Sequence, residues 1–258
     1  MIPATTPATA IPDVAASADE VRHTVAHTGV VRIPGAQMTP GQFTSFMASL
    51  GPLMFTDGET PAPGHPDLNI VTNVGRTTKP RSQFHTDTTY VRRPPSYSGL
   101  IAIDVPSEGG ATCFIDQYAA HDALPSTMKE LLLGATMRHS VTGVTVAANA
   151  ETSARHPVLR RHPDTGRTAL YLSTPARCSD LTLSTGEDRS DLIDWLYNHA
   201  LAQPCIAHAW RPGDILIWDN RCTLHAADHS RVVGDRTLYR ALVRGEEPIA
   251  ADALVVAP

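Results

Sequence analysis

At 258 residues and 42% hydrophobic, the chain can bury one sizeable core, or at most one core with appended helices. A net charge of -5, with 21 Lys+Arg scattered rather than gathered into a run, leaves no electrostatic footprint for nucleic acid or an anionic membrane. Four widely spaced cysteines (Cys113, Cys178, Cys205, Cys222) without a C-x-x-C pair argue against a disulfide framework or zinc knuckle. No window approaches membrane-spanning length, so the expectation is a cytoplasmic protein with buried, reduced thiols.

In chain order, residues 1–16 are an aperiodic Ala/Pro/Thr stretch expected as a flexible tail, and residues 17–258 are expected as a single domain. Ser17 to Glu20 has capping-box spacing before a helix that runs to Gly29, and Val30–Ile33 reads as a strand. Thr39 then predicts an N-cap, with Pro40 at the first helical position and Gly51 closing the helix. From Leu53 to Arg81 turn formers recur and only Leu68–Val74 resembles a strand, so a surface lid or substrate loop is expected. Further strands are predicted at 98–105, 111–115, 136–141, 157–161, 168–172, 206–210, 214–218 and 237–243, with helices near 119–124, 126–133 and 187–202. Consecutive short strands with few helical crossovers predict a mainly β jelly roll with flanking helices.

The chemistry-bearing candidates are histidines. An H-x-D on an extended segment aims both ligands to one side, and a distant second histidine completes the two-His, one-carboxylate face that leaves iron(II) half open. With 12 His, about one H-x-D is expected by chance, and the chain has three. His65-Pro66-Asp67 and His162-Pro163-Asp164 are proline-centred and sit in turn-like surroundings, so they read as surface turns. His85-Thr86-Asp87 lies in an extended setting, though spacing alone leaves it level with a chance match. His225 follows a strand that breaks into the polar turn Asp219-Asn220-Arg221 and is the candidate third ligand. Downstream, Arg236 and Arg240 share one strand face with Leu238, odd for plain surface charges. A planar, bidentate guanidinium is what the distal carboxylate of a dicarboxylate co-substrate requires.

His85-Thr86-Asp87-Thr88-Thr89-Tyr90 with Arg93-Pro94-Pro95, Gly109-Gly110-Ala111-Thr112-Cys113-Phe114, His162 to Arg167, Trp218-Asp219-Asn220-Arg221-Cys222-Thr223-Leu224-His225 and Arg236 to Arg240 closely resemble the taurine dioxygenase family, which includes phenoxyalkanoate and alkylsulfate dioxygenases. The match runs in order from about Ser17 to Gly245. The resemblance implies a double-stranded β-helix, the cupin-like jelly roll. It implies metal ligation by His85, Asp87 and His225, with Thr112 and Arg236 on the distal carboxylate of 2-oxoglutarate and Arg240 on a substrate anion. Cofactors so implied are Fe(II), 2-oxoglutarate and O2. The activity implied is hydroxylation, oxidative cleavage or desaturation at an aliphatic C–H of a small anionic molecule, releasing succinate and CO2. Trp218 and Asn220 then support the site, and the carboxylate at position 87 leaves no room for a halide.

Arg81 or Lys79 is a candidate second positive contact for substrate, with a solvated loop charge as the plainer alternative. Thr56 falls where taurine-specific members carry a sulfonate-gripping histidine, which disfavours taurine. The segment 142–156 is short for the family. His121, His139, His156, His208 and His229 are expected as ordinary surface or core histidines. Partners are then a small-molecule anion, neither nucleic acid nor membrane, and a homo-oligomer is compatible with the reading. Two rival classes stand beside this reading: a zinc-dependent hydrolase on the same three ligands, which has no use for Arg236, and a non-catalytic binding protein that retains the cupin-like jelly roll.

Overall fold

The computed structural model describes residues 10–75 and 82–251. In chain order the elements are α1 (Ala18–Thr28), β1 (Val30–Ile33), α2 (Pro40–Leu50), β2 (Leu53–Met54), β3 (Pro61–Ala62), β4 (His65–Thr72), β5 (Pro95–Asp104) and β6 (Thr112–Asp116). There follow α3 (Gln117–Asp122), α4 (Ser126–Leu132), β7 (Thr136–Ser140), β8 (Ser153–Pro157), β9 (Leu159–Arg161), β10 (Thr168–Leu170) and β11 (Cys178–Thr182). The chain continues with α5 (Ile193–Leu201), β12 (Cys205–His208), β13 (Ile215–Asp219), β14 (Thr223–Ala227), β15 (Thr237–Arg244) and β16 (Ile249–Ala250). None of the helices is long and apolar enough to cross a membrane among the described residues.

A seven-stranded sheet in the order β1-β13-β5-β15-β4-β3, with β2 also on β15, forms one wall. Three small sheets, β12-β6-β14, β11-β7-β8 and β10-β9-β16, complete the rest, and every named pairing is antiparallel. Such pairing, with helices segregated to the outside, is the jelly-roll arrangement expected from the sequence.

Strand parity decides which residues reach the interior. Ile215 and Ile217 of β13, Tyr97 and Ile101 of β5, and Ala241 and Val243 of β15 pack outward beneath Phe43, Met47 and Leu50 of α2. Their neighbours Leu216, Trp218, Leu100, Ala102 and Leu238 point the other way and meet Phe114 of β6. Because side chains alternate with period two, Ser98 and Arg240 are delivered to that same inner side. Gly99 faces α2, where a Cβ would stand 2.6 Å from Met47 Sδ, so the helix lies directly on the strand.

Helix α2 starts and stops as expected: Thr39 and Gln42 form the reciprocal capping box, and Gly51 follows the last turn. At α1 the capping box does not form, since Ser17 makes no side-chain cap bond. Order also begins before Ser17. Asp13 bridges Arg32 beside β1 with a paired carboxylate, and Val14 is buried under α1, so a tail ending at residue 16 is too long. The strand expected from Leu68 already starts at His65, and the helix expected from Glu187 starts at Ile193 after a short 3-10 turn. Strands β8, β11 and β14 were not foreseen.

Phe43 is fully buried between α2 and the sheet. Phe43→Ala is expected to lower unfolding free energy by about 3–5 kcal/mol, read as a lower denaturant midpoint at unchanged m-value.

Candidate metal and co-substrate site

His85 and His225 are joined across an antiparallel bridge by two reciprocal backbone bonds, His85 N to His225 O and His225 N to His85 O, each 2.9 Å. Directly opposed residues project to the same face, and Asp87, two residues on, projects there too. The ligating atoms of His85, Asp87 and His225 all lie within 4.8 Å of one another. His85 Nε2 is 3.6 Å from Asp87 Oδ1 and His225 Nε2 is 3.7 Å from Asp87 Oδ2. Two imidazoles and one carboxylate on one face are the donor set suited to ferrous iron, so the residues present fit the ion that the motif implies.

The extended setting expected around this motif ends at Thr86. Asp87 to Tyr90 form a turn, and Thr88 sits in the left-handed region at φ 46°. A β-branched residue there costs about 1–3 kcal/mol, and it is held by a 3.0 Å hydroxyl contact with Thr56. Thr56 is thus spent inside the protein, at the edge of a cavity of about 330 Å3 that Thr88, Tyr90, Arg92 and Arg244 also line.

Asp87 is 3% exposed and heavily bonded. Ser98 Oγ donates to its Oδ2 at 2.7 Å and Arg240 Nη1 to its Oδ1 at 2.9 Å. Burial pushes the Asp87 carboxyl up, but Arg240, His225 and His85 outweigh it and hold the group well below the usual carboxylate range. Ser98 in turn accepts from Asn220 Nδ2 at 2.8 Å, and Asn220 Oδ1 accepts from Trp218 Nε1 at 3.2 Å. The Trp218 ring lies 4.5 Å from that of His225. Trp218 and Asn220 therefore support the ligands, and Ser98, which carried no sequence signal, is the link between them. His85 Nδ1 faces Gln83 O at 3.0 Å, which leaves Nε2 turned toward Asp87. Burial drives His225 down to about 3, so the ring is neutral and its lone pair is available to a metal.

Beside the triad, Arg236 is a buried guanidinium whose Nε donates to Gly110 O at 2.9 Å and whose Nη2 reaches Thr112 Oγ1 at 3.4 Å. Trp210 Nε1 donates to the same hydroxyl at 3.0 Å. No carboxylate pairs with Arg236 among the described residues, and burial alone pulls it down to about 10. Gly110, at φ 73°, lets its backbone approach: a Cβ there would stand 2.9 Å from Arg236 Cδ.

Arg240, expected as an open seat for a substrate anion, already holds two carboxylates, Asp87 and Glu59. Arg81 and Lys79 lie outside the described residues. The His65 motif stands at the start of β4 at the surface. The His162 motif is a turn, but its ring is not at the surface. Nε2 of His162 faces Asp219 Oδ2 at 3.0 Å with neither side chain exposed, and Nδ1 accepts from Asp164 N at 3.2 Å. With Cys222 these form a second cluster of potential metal donors. There Arg221 already grips Asp219 through Nε and Nη2 at 2.6–3.1 Å, so the cluster is an internal ion-pair network. All four cysteines are buried and free.

His208, His121 and His139 each have their own surroundings away from the triad. His208 contacts Asp214 at 2.9 Å and His121 contacts Asp122 at 3.1 Å. His139 packs against His156 and Tyr171 with both ring nitrogens unpartnered. Burial, then His156, depresses His139 from 6.5 to about 3.

A comparison with protein families matches residues 6–242 to the family described as taurine catabolism dioxygenase TauD, TfdA family. The chain is similar to the (S)-phenoxypropionate/alpha-ketoglutarate-dioxygenase of Delftia acidovorans, 30% identical over 190 residues that make up 67% of this chain and 64% of that protein. Among solved structures it resembles a taurine dioxygenase from Burkholderia xenovorans, with TM-score 0.76 at 27% identity over 90% of this chain and 83% of the other. It also resembles AAD-2 in complex with Mn(II) and N-oxalylglycine, with TM-score 0.73 at 26% identity over 90% of each chain. The matches span 44% to 64% of the length of the first curated relatives.

Because the native fold keeps His139 neutral while the unfolded chain protonates it near pH 6.5, the unfolded state binds more protons between about pH 6.5 and 3. Stability therefore falls as pH drops through that window, by up to about 1.4 kcal/mol per pH unit. Denaturant melts from pH 7 to 4 should show a shallower acid limb for His139→Phe. At Gly110, Gly110→Ala is expected to push Arg236 out of place and raise the 2-oxoglutarate concentration for half-maximal binding, measured by calorimetry.

Proposed function

From the membership of this chain in the TauD/TfdA family of taurine catabolism dioxygenases, we propose that it is an Fe(II)- and 2-oxoglutarate-dependent dioxygenase acting on an aliphatic C–H of a small organic substrate. When bound, ferrous iron with 2-oxoglutarate and O2 supplies the oxidising power: one oxygen atom enters the substrate as hydroxyl, the other enters succinate, and CO2 leaves. The rest is the work of the chain's own groups.

His85, Asp87 and His225 hold the ion. Asp87 is kept as an anion by Ser98 and Arg240, and His225 is kept neutral by burial, so neither has to lose a proton before it ligates. Thr112 and Arg236 receive the distal carboxylate of 2-oxoglutarate. The single observation that carries this reading is Arg236: a buried cation without a carboxylate among the described residues, set on Thr112 of the strand that pairs with the strand of His225. Leaving such a charge unpaired is unfavourable, and a dicarboxylate supplies the missing partner with bidentate geometry. A zinc hydrolase would leave Arg236 without purpose.

The finer reading is a cytoplasmic enzyme of one domain, residues 17–258 together with the packed Asp13 and Val14, with no nucleic-acid or membrane partner and with room for homo-oligomeric assembly. Its substrate is a small anion, as the phenoxypropionate named for one relative is, with Arg81 as a contact and with Arg240 within its reach only where the Glu59 carboxylate gives way. Hydroxylation beside a heteroatom would continue to C–X cleavage.

The test is anaerobic addition of Fe(II) and 2-oxoglutarate, which should give a weak visible absorption band absent with either compound alone; no band, and no succinate with any organic substrate, would sink the reading. In the same assay Arg236→Ala should raise the 2-oxoglutarate requirement on the order of 100-fold while iron binding is retained. Loss of iron at unchanged 2-oxoglutarate affinity would contradict the role given to Arg236.

A further inference from the structure

Arg236 and Arg240 stand four residues apart and differ in one respect: Arg236 meets no carboxylate among the described residues, whereas Arg240 meets two. Asp87 is one of those two and is shared with the proposed metal. Glu59 is the other, and both its oxygens lie against Arg240 Nη2. Arg240 Nε is buried and without a partner, so the guanidinium keeps a donor in reserve. The Glu59 side chain is 22% exposed against 11% for Arg240, which places the carboxylate at the solvent border of a buried cation.

The backbone around Glu59 is fixed. Gly58, at φ 82°, packs so closely on Thr145 that a Cβ would stand 2.4 Å from its carbonyl oxygen, and Thr60 O accepts from Ile70 N and from Asn69 Nδ2. With the backbone so held, exchange at Arg240 requires the Glu59 side chain, at the solvent border, to rotate outward.

We propose that Glu59 sets the charge preference beside the metal ligands: it pairs with Arg240 from within the protein, so that a substrate anion reaches Arg240 only in exchange for it. This rests on the dioxygenase reading in taking the space next to Asp87 and Arg240 as the substrate's. An anion brought up to the compensated pair meets the Glu59 charge and gains no unpaired cation; exchanging with Glu59 swaps one carboxylate contact for another, and only the difference appears as affinity. An uncharged substrate leaves the pair intact and binds through apolar burial alone. Binding beside Arg240 therefore disfavours anions relative to the same chain without the Glu59 carboxylate.

The experiment is calorimetric titration of 1-butanesulfonate, hexanoate and uncharged hexanamide into wild type, Glu59→Gln and the double variant Glu59→Gln/Arg240→Gln, kept anaerobic, with and without Fe(II) and 2-oxoglutarate. Glu59→Gln is expected to bind both anions at least ten-fold more tightly than wild type, with hexanamide unchanged, and the gain should vanish in the double variant. Anion affinity that is unchanged, weaker or unmeasurable in Glu59→Gln overturns the proposal, as does an equal gain for hexanamide. Should Glu59→Gln fail to fold, Glu59→Asp, whose shorter carboxylate reaches Arg240 less well, is expected to show a smaller gain of the same sign, and no gain overturns the proposal equally. The metal-free titrations test Glu59 alone, whereas a missing visible band with Fe(II) and 2-oxoglutarate would fault the dioxygenase reading whatever the anions do.

Discussion

A carboxylate removed from water has to be compensated where it sits, and Asp87 is the place where this fold meets that demand. An isolated buried charge is unfavourable by many kcal/mol, so the groups around it are constrained together. Ser98 and Arg240 bind its two oxygens; Asn220 holds Ser98; Trp218 holds Asn220 and covers His225. Each of these comes from a different point of the large sheet, β5, β13 with the turn after it, and β15. Those strands are hydrogen-bonded side by side, and that is what lets four residues distant in sequence act on one carboxylate.

The same sheet explains why the site lies where it does. Its outer face is fully committed to α2 through Ile215, Ile217, Ile101 and Val243, a packing that fixes the register of β13, β5 and β15. A slip of one residue would send Ser98 and Arg240 out under the helix and bring Gly99 and Ala241 inward. The apolar core thus does more than stabilise the fold: it sets which polar side chains meet Asp87. A second network, Asp219 with Arg221, His162 and Tyr97, locks the turn between β13 and β14 and so fixes the approach of His225 to its bridge with His85.

How much of this was legible in the sequence follows from the range of each signal. Short-range signals were clear: the Thr39 cap, Pro40 and Gly51 bounded α2, and His85-Thr86-Asp87 stood out by its setting. Face parity made Arg236 and Arg240 suspicious, and both are indeed withdrawn from the surface. Strand β14 escaped because Thr223–Ala227 offers five residues of mixed polarity directly after a turn, with no alternation to mark it; its identity comes from pairing with β6. His162 was mistaken for a surface residue because Pro163 and Gly166 do make a turn, and nothing local says that the ring points inward to an aspartate 57 positions away. Ser98 reads as an interruption in an apolar run, and Glu59 as one more polar residue in a turn-rich segment. Both acquire meaning only from partners across the fold.

The two buried arginines show what this difference in range does to a functional reading. Sequence parity treats Arg236 and Arg240 alike, two cations on one inner face, and the family resemblance assigns each an anion from outside. Charge compensation separates them. Arg236, whose guanidinium meets a carbonyl and a hydroxyl but no carboxylate among the described residues, is a cation that a ligand of opposite charge would pair at full value. Arg240 is not, since Glu59 reaches it from 181 residues away and Asp87 from 153. A cation in a pocket therefore marks an anion site only after its own carboxylates have been counted. By that count Arg236 is the cation of the two without a carboxylate among the described residues, and Arg240 is the one whose anions belong to the chain.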